Sequence, residues 1–283
     1  MAAASVLLLL GVAAVTDSAT LWEALTFLGE EYLYVFLSIA SIIFLNPDWG
    51  VLLLYSVVLS GSVDVALKYA LNLPRPPKSL WRVQAEGPGF PSGHTEVSSG
   101  FWTQASLLTR SKWVSALSAA VIASVAVSRV ALMVHYPRDV VGGAVIGIAL
   151  SAGLFLTWRY LPLKGWVSVA AITSAIASAA GAYTSGTPVT YKLLGVSLGA
   201  WTYVVFRDEV REVMKRSLKI KVYAFLASSA LTALLLGFSK PLEAFLGVPA
   251  GLTLSYFFIP PAIYALTGYV SGRCFTPSQR EGV

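Results

Sequence analysis

The sequence predicts an all-α protein: a polytopic bundle of about nine transmembrane helices, preceded by an interfacial or re-entrant helix. Three observations predict it. Hydrophobic residues make up 56% of the 283 positions and charged ones only 12%, with a mean hydropathy of +0.72, which is membrane rather than soluble composition. The apolar residues fall into runs of about twenty, the length a helix needs to cross hydrocarbon. Most Lys and Arg lie in the short segments between runs.

Taken in order, residues 2–15 are apolar but short of a span, and no Lys or Arg precedes them, which gives a signal peptide little support. Residues 21–29 are amphipathic at helical spacing. Residues 1–30 therefore read as interfacial or re-entrant helix, with an extra short span as the competing reading. Spans follow at about 31–46, 50–71, 94–110, 113–133, 138–161, 165–184, 189–206, 219–239 and 249–270. Gly143-x-x-x-Gly147 reads as a helix-packing notch in the fifth. Pro260-Pro261 predicts a kink in the last. No soluble domain, linker or low-complexity tract interrupts the series. The lone cysteine, Cys274, excludes an internal disulfide and a Cys-based metal site, and two histidines leave no His-rich one. The net charge of +6 suits anionic lipid or phosphate. No basic stretch lies free of the membrane topology, so nucleic acid is not a predicted partner, and no obligatory protein partner is evident.

Charge also orients the bundle. If spans alternate, the 72–93 loop, the 134–138 turn, 185–188 and 240–248 share one face. The opposite face carries Arg110, Lys112, Arg159, Lys164, Arg207, Arg211, Lys215, Arg216, Lys219, Lys221, Arg273 and Arg280, more than half of the 20 Lys and Arg. The positive-inside rule places this basic face, with the C-terminus, in the cytoplasm and the other outside the cell or in a lumen.

Chemistry concentrates on the less basic face, around Ser128 to Asp139. His135 and Asp139 are four apart, and Pro137 suits the first turn of a helix, so both lie on one side of it. A carboxylate there can bind one ring nitrogen and leave the other free. The second histidine, His94, follows Pro91-Ser92-Gly93 at another loop-to-helix junction, where free N–H groups make an anion site. Lys68-x6-Arg75-Pro76 ends the second span, with Asp64 one turn before Lys68 to orient it. The 33 residues between His94 and Ser128 hold one helix out and one back, so Lys68, Arg75, His94, Arg129 and His135 end on one face. Three cations, a helix N-terminus and two imidazoles then surround one anion-sized space. No acidic pair for Mg²⁺ accompanies them. This describes metal-independent phosphoryl transfer through a phosphohistidine, with no cofactor.

These residues resemble a known family. Lys68-x6-Arg75-Pro76, Pro91-Ser92-Gly93-His94 and Ser128-Arg129-x5-His135-x3-Asp139 look like the three signature motifs of the type-2 phosphatidic acid phosphatases, or lipid phosphate phosphatases, with all eleven fixed letters in order. The match covers about 68–139. It implies a six-span phosphatase core over about 31–184, leaving 185–283 as three further helices and a tail. That layout, with Phe27-Leu28-Gly29, is similar to the sphingosine-1-phosphate phosphatase and glucose-6-phosphatase branches and their prokaryotic relatives. The resemblance implies that His135 attacks phosphorus, Asp139 holds its tautomer, and His94 protonates the leaving oxygen and then activates water. Lys68, Arg75, Arg129, Ser92 and the Gly93 amide would hold the phosphate oxygens.

Two other functions share the sequence evidence. A transferase of the same superfamily would pass the phosphoryl group to another lipid. A non-catalytic lipid-phosphate binding protein is expected to have lost a motif residue, and here none is lost. The substrate is expected to be a polyprenyl diphosphate or another long-chain lipid phosphate drawn from the bilayer. In the 77–90 loop, Lys78 and Arg82 are candidate ligands of a second phosphate and Trp81 and Phe90 candidate apolar contacts, each equally readable as an interfacial anchor.

Overall fold

The structure is a computed structural model that describes residues 1–272; Arg273, Cys274 and Arg280 lie outside the described residues. Every regular element in it is helical. A short apolar helix, α1 (Ala2–Thr16), turns at Asp17 into α2 (Ala19–Phe27). After a break at 28–30 the chain continues as α3 (Glu31–Ala40), which ends in a π-helical turn at Ser41–Leu45. α1 and α2 pack along α6 (Lys112–Ala131). Residues 19–45 form one apolar stretch long enough to cross a membrane, while α1, at 15 residues, is not. The boundary drawn from sequence at residue 30 thus falls at the break inside that stretch.

α4 (Pro47–Leu71) begins where Asn46 Oδ1 accepts the amides of Asp48 (2.9 Å) and Trp49 (3.4 Å), with Pro47 at the first helical position. It ends at Asn72, in the left-handed conformation, four residues past Lys68. The 72–92 loop leads to α5 (Gly93–Thr109). α5 lies between α4, α6 and α7 (Pro137–Tyr160). α8 (Leu163–Ser185) packs on α4.

Among the described residues, seven helical stretches are long and apolar enough to cross a membrane, and an eighth if the bent pair that follows α8 is counted as one span. The shortfall from the nine expected is α5. It has 17 residues, and Glu96, Ser98, Ser99 and Gln104 are all buried within it. α5 hides these polar groups because its neighbours, not lipid, cover it. The Gly143–Gly147 notch makes this possible. A Cβ at Gly143 would meet the Ser92 carbonyl at 2.6 Å, and one at Gly147 would overlap the Glu96 carbonyl. α7 therefore approaches α5 backbone to backbone, and Ser151 donates to Gln104 across the contact (2.9 Å).

The C-terminal helices wrap α3, α4 and α8. α9 (Pro188–Ala200) and α10 (Tyr203–Arg211) meet at a 61° bend. α11 (Leu218–Gly237) and α12 (Ser239–Leu246) follow, then α13 (Val248–Phe257) and α14 (Ile259–Gly272). Where a kink was expected, α13 and α14 are separated by a one-residue turn at Phe258, two residues before Pro260, and together they count as one span. The Arg207 side chain, on α10, donates twice to Asp48 (2.9 and 2.8 Å), and Tyr203 donates to the same carboxylate at 2.6 Å. Those three bonds tie the C-terminal helices to the first turn of α4.

Candidate active site

Six helix ends converge on one pocket. They are the starts of α3, α5, α7 and α9 and the ends of α4 and α6. Glu30, Lys68, Gly93, His94, Arg129, His135 and Val189 line it, with Arg75, Gln84, Ala85 and Glu86 from the 72–92 loop. Its volume is about 510 Å³, enough for a phosphate group and part of what it is attached to.

Lys68 sits in the last turn of α4, where a cation suits the helix dipole. Its ammonium is bonded to Asp64, as the four-residue spacing predicted, and donates to the Pro91 carbonyl at 2.5 Å. Asp64 also backs onto the start of α5. A Cβ at Gly93 would meet its carboxylate at 2.7 Å, so only glycine lets helix and carboxylate come this close. Ser92 is fully buried but does not line the pocket. Its amide donates to the Asp139 carbonyl (3.0 Å), and its hydroxyl accepts from Thr95 (3.1 Å). Ser92 therefore fastens α5 to the first turn of α7, while Gly93 and His94 face the cavity.

Arg75 follows Pro74, and the prolines around it keep the segment out of helix. Its Nε donates to the Gly87 carbonyl (2.9 Å), Nη2 to Glu86 (2.8 Å) and Nη1 to Val134 (2.8 Å). Nη1 also lies 2.8 Å from His135 Nε2. A guanidinium has only donors, so Nε2 accepts, and the His135 proton sits on Nδ1. Nδ1 in turn faces Asp139 Oδ2 at 3.5 Å, and that oxygen takes the Tyr136 amide at 2.9 Å. Burial pushes the His135 imidazole well below the ordinary histidine range, and Arg75, Lys68 and Arg129 push the same way against Asp139. The result is a neutral imidazole with its lone pair aimed into a cationic pocket. Arg129 ends α6 with its Nε buried and without a partner among the described residues.

His94 has a carboxylate partner that sequence reasoning missed. Its Nε2 lies 3.1 Å from Glu30 Oε1. Glu30 reaches it because the 28–30 turn presses against α5 and α6. A Cβ at Gly29 would meet Val125 at 2.8 Å and the His94 Cβ at 3.3 Å. The turn is pinned by Tyr34, which donates to the Leu28 carbonyl, and by Thr26 bonded to Ser128 at 2.8 Å. The available signal was an acidic residue directly after Phe27-Leu28-Gly29, at the mouth of an apolar run. Each histidine thus has its own carboxylate, and both histidines line the same pocket.

The four loop residues named from sequence lie outside the pocket lining. Arg82 makes a two-point ion pair with Asp17 (2.7 and 2.8 Å). Trp81 donates to the Pro76 carbonyl (2.8 Å), and Lys78 lies 5.8 Å from the Trp81 ring centre. Phe90 packs on α7, where a Cβ at Gly142 would overlap its ring. The same loop meets the pocket instead through Gln84, Ala85 and Glu86. No group of three or more His, Cys, Asp or Glu placed to hold a metal ion occurs among the described residues.

A family model described as the PAP2 superfamily matches residues 49–163, from the first turns of α4 to the first residue of α8. The matched segment holds Lys68, Arg75, Ser92, Gly93, His94, Arg129, His135 and Asp139, and the match supports the superfamily and a phosphatase or phosphotransferase type of activity. No curated protein and no solved structure matches the chain.

Proposed function

We propose that this integral membrane protein is a phosphatase that releases phosphate from a long-chain lipid phosphate or diphosphate through a phosphohistidine on His135. One observation carries the reading: the tautomer of His135, with Nδ1 toward Asp139 and the Nε2 lone pair facing the cationic pocket beside Arg75. Nε2 attacks phosphorus, the bond to the leaving oxygen breaks, and His94 gives that oxygen a proton. A water molecule then loses a proton to His94 and attacks phosphorus, the N–P bond breaks, and inorganic phosphate leaves with His135 neutral again. Arg75 and Arg129, the Gly93 amide and the remaining Lys68 proton carry the charge on the equatorial oxygens. Arg75 trades its bond to His135 for one to phosphate as the substrate enters.

The three candidate spans after residue 185, the bent pair counted as one, are consistent with the sphingosine-1-phosphate phosphatase and glucose-6-phosphatase-like layout. The charge asymmetry supports a site on the extracytoplasmic or lumenal side. A lipid substrate fits that position, because the pocket opens at helix ends near headgroup depth and the tail need not leave the membrane. A polyprenyl diphosphate is the favoured substrate, as a carrier left outside after glycan transfer would need such an enzyme.

The test is inorganic phosphate release by the purified protein in mixed micelles. The panel comprises polyprenyl diphosphates, phosphatidic acid, phosphatidylglycerol phosphate, sphingosine phosphate and glucose 6-phosphate. Release from a lipid member, lost in His135→Ala, is expected. Transfer to a second lipid with no free phosphate would identify the transferase, and no turnover of any member would sink both readings.

A further inference from the structure

A second cavity lies against the catalytic pocket, and the two share walls. Glu31, Gly61, Val189 and Leu193 line both. From there the second cavity runs between α3, α4, α9 and the α13–α14 junction. Its lining is patterned helix by helix. On α4, Lys68, Val65, Asp64 and Gly61 face the catalytic pocket, and Gly61, Val58, Val57 and Leu54 face the second cavity. These positions repeat at three and four residues, so one face of one helix carries phosphate ligands at one end and aliphatic side chains at the other. α9 repeats the arrangement, with Val189 and Leu193 at the shared wall and Val196 beyond. The charged residues of the second lining, Glu31 and Lys192, lie within the first five residues of α3 and α9, at the end nearer the site. Ile259, Pro260 and Tyr264 close the far end.

We propose that this second cavity seats the hydrocarbon tail of the substrate, that it takes a single chain, and that the C-terminal helices supply its outer wall. The proposal rests on the lipid-phosphatase reading and adds where the tail goes. Two dimensions commit it to that occupant. From Asp64 to Leu54 is ten residues of helix, about 15 Å at 1.5 Å per residue, which is about half of a ~30 Å hydrocarbon core. A chain anchored by its phosphate at Lys68 and Arg75 would therefore follow α4 to the depth of one leaflet. The cavity volume is about 120 Å³, below the ~150 Å³ of an apolar cavity that holds one benzene molecule. It has room for part of one chain and none for two side by side. Gly61 keeps the throat open: a Cβ there would touch both Leu193 methyls at 3.6 Å. The inference selects prenyl or sphingoid phosphates, with one chain, over diacyl phosphates.

The test is photolabelling with a single-chain alkyl phosphate carrying a diazirine midway along the chain, bound to the intact protein in micelles. His135→Ala protein is used for labelling so that the phosphate stays attached. Labelled peptides from α3, α9 and the α13–α14 junction are expected, displaced by unlabelled alkyl phosphate but not by the corresponding alcohol. Val196→Trp, which fills the cavity away from the catalytic pocket, should lower that labelling about tenfold. In otherwise unsubstituted protein it should lower kcat/KM for a long-chain phosphate relative to a short soluble one by a similar factor. Labelling on α1, α6 or the outer face of α7, or labelling that the alcohol displaces equally, overturns the tail site while leaving the phosphatase reading intact. Failure of the wild-type protein to release phosphate from either substrate overturns that reading instead, and the labelled positions still show whether the cavity holds a phosphate-bearing chain.

Discussion

Replacing Glu30 by Gln removes a carboxylate charge beside His94 and nearly preserves the side chain's shape. The charge acts over 3.1 Å, between side chains that are 30% (His94) and 39% (Glu30) exposed. At that distance the attraction between an imidazolium and a carboxylate is about 1 kcal/mol in bulk water and about 5 at an effective dielectric of 20. Discounting for the exposed third of each side chain leaves about 1.5–3 kcal/mol, or about 10- to 100-fold in rate at 1.36 kcal/mol per decade. If Glu30 supports His94 while it delivers a proton, the loss must depend on the leaving group. An alkoxide needs that proton and a nitrophenolate does not. Glu30→Gln should therefore lower kcat/KM by about 10- to 100-fold for an alkyl phosphate and by less than about threefold for p-nitrophenyl phosphate. His94→Gln should show the same selectivity at greater depth, and the double variant should be no worse than His94→Gln alone. Equal losses on both substrates would show that Glu30 acts on phosphate binding or on the fold, and additive losses would uncouple it from His94.

Four further outcomes are expected. His135→Ala should abolish phosphate release with an unchanged melting temperature, whereas Asp139→Asn should keep measurable turnover, because orientation suffers more than chemistry. Vanadate, which mimics five-coordinate phosphorus, should inhibit at lower concentration than phosphate in initial-rate assays, and activity should survive EDTA. Gly147→Val should weaken the fold by about 1–3 kcal/mol or more, since its side chain would overlap the Glu96 carbonyl; thermal aggregation in detergent reads this out. In a Cys274→Ser background, a membrane-impermeant maleimide on intact cells should label Ser185→Cys and not Ser217→Cys, and the reverse pattern would invert the topology.

Much of the site was legible because its chemistry is expensive in hydrocarbon. Lys68, His94, Arg129 and His135 stand out against apolar runs, and their spacing fixes which helix ends they occupy. Gly143 and Gly147 were readable as a notch for the same reason: a small residue repeated at four positions has few uses other than close approach. Glu30 was missed because its partner is 64 positions away, and no local pattern links an acid in one turn to a histidine in another. Loop residues misled for a different reason. Arg82 and Trp81 are polar or aromatic near the site, but which side of a loop faces a pocket depends on what the loop packs on. Here Asp17 takes Arg82 and the Pro76 carbonyl takes Trp81. Span counting also depended on tertiary context. α5 is polar by sequence standards, and it is tolerated only because α4, α6 and α7 surround it.

The way the pocket holds its cations and histidines bears on which phosphate it takes. Three of its groups have a carboxylate behind them: Lys68 has Asp64, His94 has Glu30, and His135 has Asp139. With both histidines uncharged, the Lys68–Asp64 pair is neutral and each histidine–carboxylate pair carries one negative charge, which a proton on its histidine cancels. Among the described residues, Arg75 and Arg129 make no such ion pair. Arg75 is held by three backbone carbonyls, which accept its protons without cancelling its charge. Arg129 keeps a buried Nε with nothing bonded to it. Leaving a buried charged donor unpaired is costly, and the cost is recovered when an anion arrives. Arg75 and Arg129 therefore offer donors to an arriving phosphate, and a terminal phosphate, with three free oxygens, can take up more of them than a phosphodiester with two. That preference places the reacting phosphate at the chain terminus of its substrate, where His135 Nε2 already points.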